Sequence, residues 1–210
     1  MSMIVTLATL ATASASRGKT PNLRVSADTT DDDTWATESH TCVSMEIVDY
    51  GTITIELADD QTPITVENFL TYVNSDFYDG LIFHRVIEDF MIQGGGYDAK
   101  FNEKATNAAI VDEAKTGLSN LRGTISMART SKADSATDQF FINTVDNTYL
   151  DYSSKSDGYA AFGKVTDGMT IVDAISEVDT HTYKGNSDVP KTAIYIGAVT
   201  TVQCDASSTA

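Results

Sequence analysis

Cysteine is nearly absent from this chain. Cys42 and Cys204 are the only two in 210 residues, too few for a disulfide framework or a four-thiolate zinc site. Histidine is almost as scarce: His40, His84 and His181 are scattered, which excludes a histidine-rich metal enzyme. No apolar run approaches the ~20 residues that a membrane-spanning helix needs. Positive charge is short as well, with 14 Lys and Arg against 30 Asp and Glu and a formal charge of −16. A chain of that sign is repelled by phosphate backbones and anionic lipid, so nucleic acid and membrane surfaces are disfavoured as partners. Gly94-Gly95-Gly96 lacks the Lys-Ser/Thr of a phosphate loop, and no Gly-x-Ser-x-Gly elbow accompanies His84. Nothing in the sequence calls for a metal or cofactor.

What is present suits one globular domain with a tail. Residues 1–41 read as a disordered or targeting tail. Met3 to Ala15 is small and mildly apolar, but Met1-Ser2-Met3 lacks the positive charge that opens a signal peptide. Ser16 to His40 is polar and acidic, with Asp31-Asp32-Asp33, and the sole tryptophan, Trp35, lies there. Such a composition cannot bury enough surface to fold alone. The compartment, exported or cytoplasmic, stays open. The folded domain is expected over 42–203, with 204–210 a short C-terminal tail.

From Cys42 the pattern changes. Val43, Met45 and Ile47, then Ile53, Ile55 and Leu57, alternate with polar residues, the period of half-buried strands. Asp49-Tyr50-Gly51 between them signals a hairpin turn. Thr62-Pro63 reads as N-cap and first residue of a helix, whose apolar stripe is Val66, Phe69, Leu70 and Val73. Further strands are expected at Leu81–Val86, Phe90–Gly94, Thr124–Ala128, Gln139–Asn143, Tyr159–Val165 and Ala193–Val202. A second helix is expected over Met169–Val178, with Met169, Val172 and Ile175/Ser176 inward. Eight strands and two helices hold too little helix for an alternating α/β fold. They suit an antiparallel barrel or sandwich with helices over its open ends.

One group of residues stands apart. Phe83-His84-Arg85-Val86-Ile87 sets an arginine in a strand among bulky apolar residues. Phe90-Met91-Ile92-Gln93 and Gln139-Phe140-Phe141-Ile142 each place an amide among hydrophobes. If Arg85, Gln93 and Phe141 share one face, they make an apolar pocket with one fixed cation. A buried arginine paired to a carboxylate for structure is the other reading of the same residues.

These motifs resemble the cyclophilin family of peptidyl-prolyl cis-trans isomerases, and its bacterial branch in particular. Phe83 to Ile87 with Phe90 to Gly96 is similar to the family signature, and Thr65-Val66-Glu67-Asn68-Phe69 to its first helix. Gly123 to Thr130, Ser135 to Asn143 and Ala161-Phe162-Gly163-Lys164-Val165 complete the set. The resemblance covers roughly Cys42 to Val202. It implies a mostly-β fold: a closed eight-stranded antiparallel β-barrel capped by two α-helices. It implies isomerisation of X-Pro bonds in peptides and folding proteins, with a non-catalytic proline-binding module or chaperone as the alternative.

Position by position, the resemblance puts the catalytic arginine on Arg85. The proline pocket falls on Phe90, Met91, Phe141 and Leu150, with Gln93 and Gln139 as polar wall and the backbone of Ala128 and Arg129 bonding the peptide. Tyr159 stands where many relatives have histidine. Tyr149 replaces the tryptophan that bonds cyclosporin in eukaryotic members, so weak cyclosporin binding is expected. Glu88-Asp89 adds acid at the pocket mouth. The implied partners are proline-containing segments of client proteins, and the implied state is a monomer. The strands carrying Cys42 and Cys204 are neighbours in this family, which leaves a disulfide between them open. Nine lysines against 22 aspartates fit either adaptation to high salt or an ordinary acidic surface.

Overall fold

The computed structural model describes residues 40–204. The tail reading of residues 1–39, Trp35 included, and the last six residues lie outside the described residues. His40 and Thr41 already contact the sheet. The His40 ring nitrogen Nδ1 lies 2.9 Å from Glu56 Oε1, and the Thr41 amide donates to Asp59 Oδ2 at 2.7 Å.

The sheet contains β1 (Cys42–Ile47), β2 (Gly51–Leu57), β3 (Leu81–Ile87), β4 (Met91–Asp98), β5 (Thr124–Met127), β6 (Phe140–Asn143) and β7 (Ala161–Asp167), with β10 (Ile196–Val202). Its order is β10-β1-β2-β7-β5-β6-β4-β3, antiparallel throughout. The helices are α1 (Pro63–Val73) and α2 (Met169–Ser176). A separate hairpin, β8 (Thr180–Tyr183) with β9 (Asn186–Pro190), was not expected from the sequence.

Full closure of the barrel was expected, and the ladders stop short of it. The edge strands β3 and β10 meet through one bridge, Ile82–Tyr195, and the hydrogen bonds Gly80 N–H to Ile196 O and Phe83 N–H to Ile194 O, each 3.0 Å. Tyr195 lies before β10 and gives its carbonyl to the Val48 amide, so no continuous ladder forms there. By its ladders the sheet is an open half-barrel.

Period-2 alternation places Val43, Met45, Ile47, Ile53, Ile55 and Leu57 inside, all fully buried. Of the α1 stripe, Val66, Phe69 and Val73 are buried and Leu70 only partly. In α2, Val172, Ile175 and Ser176 are buried and Met169 partly. Phe69 lies at the centre, its ring 5.2 Å from Phe162, 5.4 Å from Tyr78 and 5.9 Å from Phe140. Burying such a ring contributes about 2–3 kcal/mol.

Thr62 is the N-cap residue of α1, but its side chain does not cap. The hydroxyl donates backward to Ala58 O at 3.2 Å. Glu113 does the capping instead: its carboxylate accepts from the amides of Ile64 at 3.2 Å and Thr65 at 2.7 Å, and from the Thr65 hydroxyl at 2.7 Å. A carboxylate there satisfies orphan helix donors and meets the positive end of the helix dipole.

Cys42 and Cys204 are joined in a disulfide, with Cα atoms 5.1 Å apart across a sequence separation of 162. Cys42 sits opposite Val202 in the β1–β10 ladder. The bond therefore fastens the start of the first strand to the chain just past the last.

Candidate active site

Three neighbouring strands align the residues that stood out. Arg85 on β3 is opposite Gln93 on β4, and Gln93 is opposite Phe141 on β6. Directly opposed residues project to the same face of a sheet, so these three form one row. The alternate residues Ile92, Phe140 and Ile142 face the core, fully buried. Met91 lies two residues from Gln93 and shares its face. Met91 and Phe141 are 2% and 5% exposed, yet neither packs into the central core cluster. They floor a second, smaller apolar site on the outer face.

A bulge in β3 makes the row possible. Phe83 pairs with Gly94 and Arg85 with Gln93, so β3 carries an extra residue between them. The bulge keeps Phe83 in the core while leaving Arg85 outward, 40% exposed at its side chain. His84, within the bulge, is buried, and its ring meets Tyr97 edge-on at 4.8 Å. Burial lowers its pKa to about 4, so it is a neutral packing imidazole near pH 7.

The polar wall is a pair of amides. Gln93 Nε2 donates to Gln139 Oε1 at 3.0 Å. Gln139 lies against Gly96, where a Cβ would sit 2.4 Å from its amide carbon. A side chain at this position would displace the Gln139 amide from the wall. The Ala128 amide donates to the Gln139 carbonyl at 2.9 Å. It is thus spent within the protein, which leaves only the carbonyl of Ala128 for a peptide.

The rim is aromatic. Tyr159 meets Phe141 edge-on at 5.8 Å, and the Arg129 guanidinium lies over the Tyr159 ring at 4.5 Å. Arg129 Nε also donates to Gly158 O at 2.8 Å and lies 3.5 Å from Asp112 Oδ2, both side chains under one-tenth exposed. Burial pushes the Asp112 carboxyl up. Phe90 and Tyr149 stack at 6.2 Å, Tyr149 being 68% exposed at the outer edge. Leu150, half-buried, ends the 3₁₀ turn Thr148–Leu150, and its carbonyl accepts from the Tyr159 amide at 2.8 Å. Gln139 and Tyr159 thus touch the row directly, and Arg129 lies on Tyr159. Phe90, next to Met91 in the chain, stacks with Tyr149, and Leu150 is tied to Tyr159 through the backbone.

The supporting network was not anticipated. Asn147 Nδ2 donates to Phe90 O and to Asn143 Oδ1, each at 2.8 Å. Ser126 Oγ donates to Asn120 Oδ1 at 2.7 Å, and Asn120 Nδ2 donates to Asp151 Oδ1 at 2.8 Å and to Tyr159 O at 3.1 Å. These buried asparagines fix the loops that carry Phe90, Leu150 and Tyr159. Their one cue in the sequence was position: Asn120 precedes β5, Asn143 ends β6 and Asn147 follows it. Elsewhere, a groove of about 640 Å³ crosses β1, β2 and β10, lined by Ser44, Glu46, Asp49, Tyr50 and Thr200 among others. It holds carboxylates and hydroxyls, with no cation. Among the described residues no three His, Cys, Asp or Glu side chains converge to hold a metal, and no helix is long and apolar enough to cross a membrane.

The row thus sets an outward arginine beside an apolar floor, an amide wall and an aromatic rim. Comparison with known proteins gives the class of the whole chain. Residues 42–201 match the family model for cyclophilin-type peptidyl-prolyl cis-trans isomerases. The chain is 53% identical over 146 residues to peptidyl-prolyl cis-trans isomerase A of Dickeya dadantii, covering 70% of this chain and 77% of that protein. It is 49% identical over 154 residues to isomerase B of Escherichia coli, covering 72% and 94%. A crystal structure of a Cryptosporidium parvum cyclophilin-type isomerase, in the presence of the dipeptide Ala-Pro, superposes with a TM-score of 0.61 at 28% identity. It covers 75% of this chain and 96% of that one. The chain belongs to the cyclophilin-type peptidyl-prolyl cis-trans isomerase family, and its activity is rotation of prolyl peptide bonds.

Proposed function

We propose that Arg85 carries the isomerisation and that Phe90, Met91, Phe141 and Leu150 hold the proline ring. The peptide bond resists rotation by ~18–20 kcal/mol because the nitrogen lone pair is delocalised into the carbonyl. Unaided X-Pro exchange takes tens to hundreds of seconds. No bond breaks and no proton moves, so the site needs neither base nor nucleophile. It needs a donor that stabilises the lone pair once it is localised on nitrogen. The guanidinium supplies donors in a fixed fork, and a charge-assisted bond contributes about 1.5–3 kcal/mol, more where water is excluded. Gln93, Gln139 and the backbone at Ala128 and Arg129 hold the peptide, and Tyr159 closes the rim.

The single observation behind this reading is the register that lines up Arg85, Gln93 and Phe141 across β3, β4 and β6. The enzyme works as a monomer on proline-containing segments of client proteins. The Cys42–Cys204 bond supports an oxidising compartment. Cyclosporin binds weakly, because a phenol at Tyr149 offers no indole N–H. NMR exchange spectroscopy on a short Ala-Pro peptide tests the assignment. Wild type gives fast exchange, and Arg85→Ala, correctly folded, falls to near background. Equal exchange by the two proteins would remove Arg85 from the mechanism. Cyclosporin added to the same sample should leave wild-type exchange largely intact at concentrations near that of the enzyme.

A further inference from the structure

We propose that Asp188 is a positioning residue for Arg85, presented by the β8–β9 hairpin; the inference rests on Arg85 being the catalytic residue. Among the described residues, Asp188 is the one carboxylate in ion-pair range of Arg85, with Oδ2 3.8 Å from Nε. It faces the Nε edge, which leaves the terminal nitrogens of the guanidinium fork for a peptide.

Three features aim that carboxylate. The hairpin register pairs His181 with Val189 and Tyr183 with Asn186, so β9 carries an extra residue between its two pairs. Within this bulge Asp188 has φ +60°, a left-handed conformation that aspartate adopts more readily than most side chains. Bulges beside active sites re-aim side chains. The Ser187 hydroxyl donates to Asp188 Oδ2 at 2.9 Å and orients the same oxygen that faces Arg85. Val189, the next residue, is buried and anchors the hairpin, while the Asp188 side chain stays 37% exposed.

The chemistry follows from the geometry. Arg85 is 40% exposed and, released, would sample several rotamers. A carboxylate at its Nε edge narrows that choice without occupying the donors that reach the rotating bond. Because those donors act on the localised lone pair, loss of positioning lowers turnover and leaves ground-state peptide binding alone. A partly exposed pair has a small effect that salt screens.

The test compares Asp188→Asn with wild type in Ala-Pro exchange at about 0.02 M and about 1 M NaCl, beside Arg85→Ala. Asparagine tolerates left-handed backbone, so the variant keeps the bulge. At low salt kcat should fall about two- to fivefold with KM unchanged. At high salt the ratio of wild type to variant should approach one, and taking the ratio cancels any salt effect common to both. Equal kcat at low salt overturns the proposal, as does a loss that persists undiminished at 1 M salt, which would mark a rearranged hairpin. If Arg85→Ala itself turns over like wild type, the catalytic assignment fails and the tether falls with it. If Arg85→Ala is inactive and Asp188→Asn is unchanged, the tether alone is wrong.

Discussion

His84 shows how a single buried side chain sets a pH limit. It takes its proton at about 4 in the fold, against 6.5 for the free group, because burial disfavours the cation. Between those values the unfolded chain binds more protons than the folded one, so stability falls as pH drops through the window. The loss should be about 2 kcal/mol between pH 7 and pH 5. Asp112 and Asp138, whose carboxyls burial raises from 3.8, act in the opposite sense at the acid end. Urea unfolding of wild type and His84→Gln at the two pH values isolates the histidine. The variant should lose markedly less stability on acidification, and an identical loss would assign the acid limit to other groups. At this scale the row of Arg85, Gln93 and Phe141 was legible in the sequence. A strand turns alternate residues to opposite faces, so one polar residue within an apolar run, such as Arg85 or Gln93, must either face a partner or line a site. Asp188 left no such trace, because an aspartate near Gly185 reads as ordinary turn and its role comes from a bulge and a tertiary contact.

Elements that bury at least one full face were the ones the sequence revealed, including β5 and β6, which are buried on both. β1, β2 and α1 carry apolar residues at the period of their own backbone, and burial on one face leaves that imprint. The β8–β9 hairpin has almost none: Thr180–Tyr183 and Asn186–Pro190 are exposed along most of their length, with only Val189 and Pro190 buried. Its existence depends on docking against β3, which local pattern does not encode. The start of α1 teaches the same lesson. Thr62-Pro63 marked the right place, but the capping group comes from Glu113, 48 residues beyond Thr65. Replacing Glu113 with alanine frees the amides of Ile64 and Thr65 and should cost about 1–2 kcal/mol. Chemical denaturation reads that cost directly, and Glu113→Gln, which retains acceptors without the charge, should recover part of it. No loss in the alanine variant would mean that water caps the helix equally well.

The whole molecule carries a formal charge of −16, and the fold places its few guanidinium groups with economy. Each of the three arginines among the described residues lies against an aspartate: Arg85 with Asp188, Arg122 with Asp173 and Arg129 with Asp112. Among the described residues most carboxylates have no such partner and repel one another through solvent. Salt shortens the reach of that repulsion from ~10 Å at 0.1 M to ~3 Å at 1 M, while exposed ion pairs, at ~0–1 kcal/mol each, lose little. The melting temperature should therefore rise by several degrees between 0.05 M and 1 M NaCl. Reversing the charge at two exposed positions, Glu67 on α1 and Glu177 at the C-cap of α2, by Glu67→Lys with Glu177→Lys should raise the low-salt value and flatten the slope. Calorimetry across the salt series also separates the two readings of the acidic surface. A rise that levels off once screening is complete marks ordinary repulsion, whereas a rise that continues through several molar marks a surface adapted to hold water in salt. A melting temperature that falls with added NaCl would show instead that the ion pairs outweigh the repulsion, and the charge excess would then have no energetic consequence for the fold.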